Sequence, residues 1–179
     1  MKRILLLCTL IVSLYSSAQN IQDSFFGLKI GTKADGTIIK KAMEGRLHTD
    51  LVIDESYMLT IYGAKNVDFG GVTWDLTMFG TYFKEHLFGS IVFTKTSSNQ
   101  KKIAEEMEDL KKALTDKYGT PQPTKEETGF RWKGKNGIVL KLVIEEESTM
   151  IGGKVQRLRL SYADIDINER YQKIIDAEL

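Results

Sequence analysis

The strongest pattern in the chain is an apolar stripe at Ile103, Met107, Leu110 and Leu114, spaced by four, three and four residues among Lys and Glu. That spacing returns to one side of a helix and predicts one over 100–118, with Ser97, Ser98 or Asn99 as N-cap and Gly119 and Pro121 as its stop. Lys101 and Glu105, Lys102 and Glu106, and Glu108 and Lys112 are spaced to pair along its outer side. A shorter stripe of Ala34, Ile38, Ile39, Ala42 and Met43 predicts a first helix over 32–45, weakened by Gly36 and stopped by Gly45.

Elsewhere the period is two. A short strand over 24–31 precedes the first helix. Between 51 and 94 the alternating sets are Tyr57, Leu59 and Ile61, then Val72, Trp74, Leu76 and Met78, then Gly89, Ile91 and Phe93, which predict three antiparallel strands. Asp68-Phe69-Gly70-Gly71 punctuates two of them as a turn. After the second helix, Phe130 and Trp132 alternate with Arg131 and Lys133, and Asn136-Gly137 signals a hairpin. Ile138, Leu140, Leu142 and Ile144 then alternate with Val139, Lys141 and Val143. In a last strand, Leu158, Leu160 and Tyr162 alternate with Arg157, Arg159 and Ser161, and a terminal helix over 168–179 carries Tyr171, Ile174 and Ile175. The order strand, helix, three strands, helix, three strands predicts an α+β two-layer sandwich, its antiparallel sheet packed by two main helices on one face and wet on the other.

Before this pattern begins, Lys2 and Arg3 precede an apolar run from Ile4 to Tyr15 and the small residues Ser16, Ser17 and Ala18. A basic start, a short apolar run and a small-residue cleavage site describe a secretory signal peptide over 1–18, leaving a single α+β domain over 19–179 in the periplasm or outside the cell. The run is too short to span a bilayer, which takes about 20 apolar residues. Cys8, the one cysteine, leaves with it, so the domain is expected to be held by its core rather than by disulfides.

At 42% apolar and 27% charged residues the chain has enough hydrophobic material to fold. With 25 Lys and Arg against 24 Asp and Glu, no charge excess draws it to nucleic acid, and no stable membrane anchor is expected after cleavage. Two histidines and one cysteine do not make a thiolate zinc site, and no cofactor is expected.

Candidate chemistry is sparse. His48 lies beside Thr49-Asp50 and His86 beside Lys84-Glu85, so a hydrolytic site requires folding to bring a carboxylate to one of them. Asp164-Ile165-Asp166-Ile167-Asn168-Glu169 begins like a calcium loop but has Glu169 where the turn needs Gly and Ile175 where a bidentate carboxylate belongs, so an N-cap at Asp166 or Asn168 is the better reading. Glu145-Glu146-Glu147 reads as a solvated strand end, and Gly31-Thr32-Lys33 and Gly70-Gly71 lack phosphate-loop spacing. The most suggestive feature is a set of cations, Arg131, Lys133, Lys141, Arg157 and Arg159, each opposite the apolar side of its own strand. If those strands are neighbours, one open face carries all five, suited to a carboxylate-bearing protein or an envelope glycan.

Ser17-Ala18 before Gln19, an early Phe26-Gly27-Leu28, a helix ending Leu114-Thr115-Asp116-Lys117-Tyr118-Gly119-Thr120-Pro121, Trp132 and a strand ending Leu160-Ser161-Tyr162 form a further pattern. It resembles small exported proteins of uncharacterised role in gut-type Gram-negative bacteria. Their helix-and-strand order is similar to β-lactamase-inhibitor-protein-like folds, which pack helices on a curved antiparallel sheet. The chain lacks the cysteines those inhibitors join as disulfides. The resemblance therefore implies a fold but no inhibitory residues. Together these readings favour an exported, non-enzymatic binding module using an open sheet face, over an envelope hydrolase built on His48 or His86, or a structural subunit with a symmetric apolar interface.

Overall fold

The structure, a computed structural model, describes residues 19–43, 58–124, 128–148 and 154–178. Its elements in chain order are β1 (Ser24–Phe25), β2 (Leu28–Lys29), α1 (Gly36–Ala42), β3 (Leu59–Phe69), β4 (Val72–Tyr82), β5 (Leu87–Ser97), α2 (Gln100–Tyr118), β6 (Gln122–Pro123), β7 (Thr128–Lys133), β8 (Ile138–Ser148), β9 (Lys154–Asp164) and α3 (Ile165–Glu178). The protein is α+β. A seven-stranded antiparallel sheet runs β3-β4-β5-β9-β8-β7-β6, and β1 and β2 form a separate two-stranded sheet.

Alternation divides this sheet into two chemically different faces. Leu140, Leu142 and Ile144 stand opposite Tyr162, Leu160 and Leu158, and Phe93 and Ile91 pair in turn with Leu160 and Tyr162. This inner face joins Ile103, Met107, Leu110 and Leu114 of α2 in one hydrophobic cluster. The helix packs across β9, β8 and β5 because its whole stripe is buried there. Asn99 caps it by accepting from the Lys102 N–H, and Gly119, with φ 83°, ends it.

The N-terminal segment also covers the inner face. Phe26 and Gly27 both have positive φ, so the single strand expected over 24–31 is instead the tight hairpin β1–β2. Its Phe25 ring lies 4.7 Å from Tyr162 and 6.3 Å from Phe93, and Phe69 stacks on Phe93 at 4.4 Å. The first helix is shorter than 32–45, because residues 31–34 are held to β5 and the turn before it: Gly31 and Ala34 donate to the Phe88 and His86 carbonyls. Asp35 then caps α1 at Thr37 and Ile38. Ile39 and Met43 are buried, but Ile38, expected on the apolar side, is exposed.

Other differences are local. In β3 the buried positions step from Ala64 to Val67 across Asn66, whose φ is 55°, so the period-two pattern shifts phase. Of the expected helix pairs only Lys101–Glu105 forms; Glu106 turns to Lys95 of β5 at 2.7 Å, and Glu108 pairs with Lys111. Four strands rather than three follow α2, the extra one being β6, which pairs with Arg131 and Phe130 of β7. The terminal helix begins at Ile165 and is capped by Asp164, which accepts from the Ile167 N–H, rather than by Asp166 or Asn168. Tyr57 and the first part of the expected 51–94 strands, together with the 1–18 segment, lie outside the described residues.

Because Leu110 is buried between α2 and the sheet, Leu110→Ala is expected to lower unfolding free energy by about 2–5 kcal/mol. Urea denaturation measures it, and a loss well under 1 kcal/mol would place that helix face in solvent.

Candidate functional site

The outer face is built on the β9-β8-β7 order, which makes the three cation-bearing strands neighbours. Reading across it, Lys133 stands opposite Val139, Arg131 opposite Lys141, and Lys141 opposite Ser161. One step further along, Val143 faces Gly129 on one side and Arg159 on the other. Glu145 then faces Arg157, so all five cations share this face.

They are not equivalent. Arg159 donates to Glu145 at 2.8 Å, and Arg157 pairs with Glu147. Both pairs are diagonal across the β8–β9 ladder, and both are partly exposed, so each adds no more than about 1 kcal/mol. Glu146 meanwhile pairs with Lys154 at 2.5 Å. Glu145 and Glu147 are therefore more than a solvated strand end, since they neutralise the far end of the cationic face.

Arg131, Lys141 and Lys133 have no acidic partner among the described residues. Arg131 and Lys141 are like charges in direct cross-strand register, an arrangement that destabilises a sheet. The Arg131 Nε is also buried without a hydrogen-bond partner. Such a donor is costly to leave unpaired.

Beside this pair lies a cavity of about 420 Å³. Val92, Val139 and Val143 give it an apolar floor, Arg131, Lys141 and Arg159 line its cationic side, and Ile165, Asn168 and Glu169 bring the start of α3 to it. Lys133 and Arg157 share the face but do not line the cavity. Val139 and Val143 are buried yet lie outside the main hydrophobic cluster, as residues on the opposite side of the sheet should.

Tyr82 closes one end. Its hydroxyl bonds the Ser90 hydroxyl at 3.1 Å, and its ring meets Tyr171 of α3 edge-on at 5.4 Å. The ring fits because Gly89 has no β-carbon, which would sit 2.6 Å from the ring and 2.8 Å from Ile167, and Gly80 leaves room for the Ser90 hydroxyl that the phenol bonds. Arg170 stacks over Phe83 with its guanidinium 4.0 Å from the ring centroid. Expected to be wet throughout, the outer face is thus partly covered by α3.

His86 does not line this cavity. His86 sits in the β4–β5 turn with φ 52°, and its Nδ1 is buried without a hydrogen-bond partner. His48 lies outside the described residues. Among the described residues no group of three or more His, Cys, Asp or Glu is placed to hold a metal ion. Asp164 is engaged in capping α3. Sequence reasoning missed the α3 wall and the Tyr82–Ser90 pair, because both depend on which strands become neighbours. No family model, curated protein or solved structure matches the chain.

Two phenols in the sheet are shifted upward by burial. Burial pushes Tyr162 well above the usual 10.0, with Tyr118 adding to the rise. Burial also raises Tyr82, its bond to Ser90 opposing the shift. The folded chain thus holds these protons more tightly than the unfolded chain, so their stabilisation is complete below pH 10 and declines as pH rises past it. Urea midpoints should fall between about pH 9 and about pH 11, less steeply in Tyr162→Phe. An equal fall in both proteins would remove Tyr162 as a cause.

Proposed function

We propose that the protein is an exported, non-enzymatic binding module that presents the outer face of its sheet to a carboxylate-bearing protein or envelope glycan. In this reading the molecule is a two-layer sandwich, with α2 and the N-terminal segment closing the inner face and the other face left for contact. The signal-like segment over 1–18 supports export.

One observation carries the reading: Arg131 and Lys141 oppose each other across β7 and β8, and neither forms an ion pair with an acid among the described residues. A fold gains nothing from that juxtaposition, whereas an anion placed between the two relieves their repulsion and satisfies the Arg131 donor. Arg157 and Arg159, already paired with Glu147 and Glu145, take a secondary part, and Lys133 extends the positive edge. His86 lies off the cavity, so the hydrolase alternative gains no geometry from it.

The test is capture on immobilised polyglutamate and on a uronic acid polymer. Wild-type protein should be retained on at least one and released by salt, since exposed charges are screened over about 8–10 Å. Arg131→Glu with Lys141→Glu should lose retention while keeping the wild-type melting temperature to within a few degrees. Retention unchanged by this double substitution, or absent from both supports in wild type, would overturn the reading.

A further inference from the structure

We propose that the outer-face cavity binds a small aliphatic monocarboxylate, its acid group between Arg131 and Lys141 and its hydrocarbon on Val92, Val139 and Val143. This goes beyond the macromolecular partner proposed above and rests on that reading only for the use of Arg131 and Lys141 as an anion site.

The cavity combines what such a ligand needs within one enclosure. Its volume of about 420 Å³ falls within the range of small-molecule sites. The positive charge is concentrated rather than spread, because Glu145 already takes Arg159 and leaves Arg131 and Lys141 without an ion-pair partner among the described residues. A guanidinium fork and an ammonium in adjacent register offer a carboxylate several charge-assisted hydrogen bonds. The valines follow directly. Val139 and Val143 flank Lys141 two residues to either side on β8, so they point the same way, and Val92 lies beyond Ser161 on β5. A ligand anchored at Lys141 therefore lies against hydrocarbon in either direction along the strand.

The boundary of the cavity narrows the class further. Glu169 of α3 lines its rim and is exposed, which disfavours a second negative charge on the ligand. A polyphosphate or multiply sulfated sugar would meet two free cations, a carboxylate and three valines. A monocarboxylate with an apolar body matches each of these groups. Tyr82 and Ser90 satisfy each other at 3.1 Å, so that end makes no demand for a polar tail.

The experiment is a titration of the isotope-labelled protein with hexanoate, followed by backbone amide shifts, against acetate, hexylamine and hexanol. Saturable hexanoate shifts should centre on Arg131, Val139, Lys141 and Val143, with acetate weaker for want of hydrocarbon and the amine and alcohol weaker for want of charge. Arg131→Gln with Lys141→Gln should weaken hexanoate at least about tenfold. Val139→Ser, which keeps both cations, should narrow the hexanoate advantage over acetate. Absence of saturable shifts, shifts centred elsewhere, or hexanol equal to hexanoate would overturn the proposal. If hexanoate fails while polymer capture still depends on Arg131 and Lys141, the cavity ligand is wrong and the face reading stands. Hexanoate binding without polymer capture would separate them the other way.

Discussion

The antiparallel ladder between β8 and β9 fixes the chemistry of both faces of the sheet. It runs in unbroken register from Ile138 opposite Asp164 to Ser148 opposite Lys154. A slip of one residue along β9 would turn Leu158, Leu160 and Tyr162 toward water and drive Arg157 and Arg159 under α2. Burying those charges without partners would be far more costly than any loss of ladder hydrogen bonds. The hydrophobic side of the ladder therefore holds the register, and the register alone decides that Lys141 and Arg159 face outward together. The Glu145–Arg159 and Glu147–Arg157 pairs follow from the register and do not set it, since they are partly exposed.

With the register set, the outer face has a gradient along the strands. Toward Ser148 the cations are matched by Glu145 and Glu147, while toward Ile138 they have no ion-pair partner among the described residues and lie beside valines. At that second end α3 arrives, because Asp164 ends β9 and caps the helix within a few residues. Tyr82, seated over Gly80 and Gly89, gives the helix something to pack on through Tyr171. The enclosure is thus made where the charge is unsatisfied. A sheet that tolerates like charges in direct opposition is giving up some stability there, as sites often do relative to the scaffold around them.

Much of the fold was legible because its signals were local. The α2 stripe and its stop at Gly119 matched their expected places, its cap proved to be Asn99 among the three candidates, and the Gly70-Gly71 turn has φ of 63° and 78°. The Asn136-Gly137 signal also fell between paired strands, although residues 134–137 make a longer link than two residues. The Asn136 side chain there also bonds both backbone groups of Ile21. What was illegible depended on distant partners. The start of α1 is set by β5, and Gly36, unfavourable in a helix by propensity, is there because the Tyr62 ring occupies the place of a β-carbon. The five cations could be assigned to one face by alternation, but not sorted into matched and unmatched sets. That sorting needed strand order, which no spacing in the sequence encodes.

Chemical labelling of lysines tests the outward, unmatched placement of Lys141 and its use in binding together. The account predicts that acetic anhydride modifies Lys141 readily in the free protein, and that prior incubation with the native envelope fraction blocks Lys141 while Lys101 on α2 reacts as before. Protection of Lys101 with Lys141 unchanged, or a Lys141 inert even in the free protein, would contradict it.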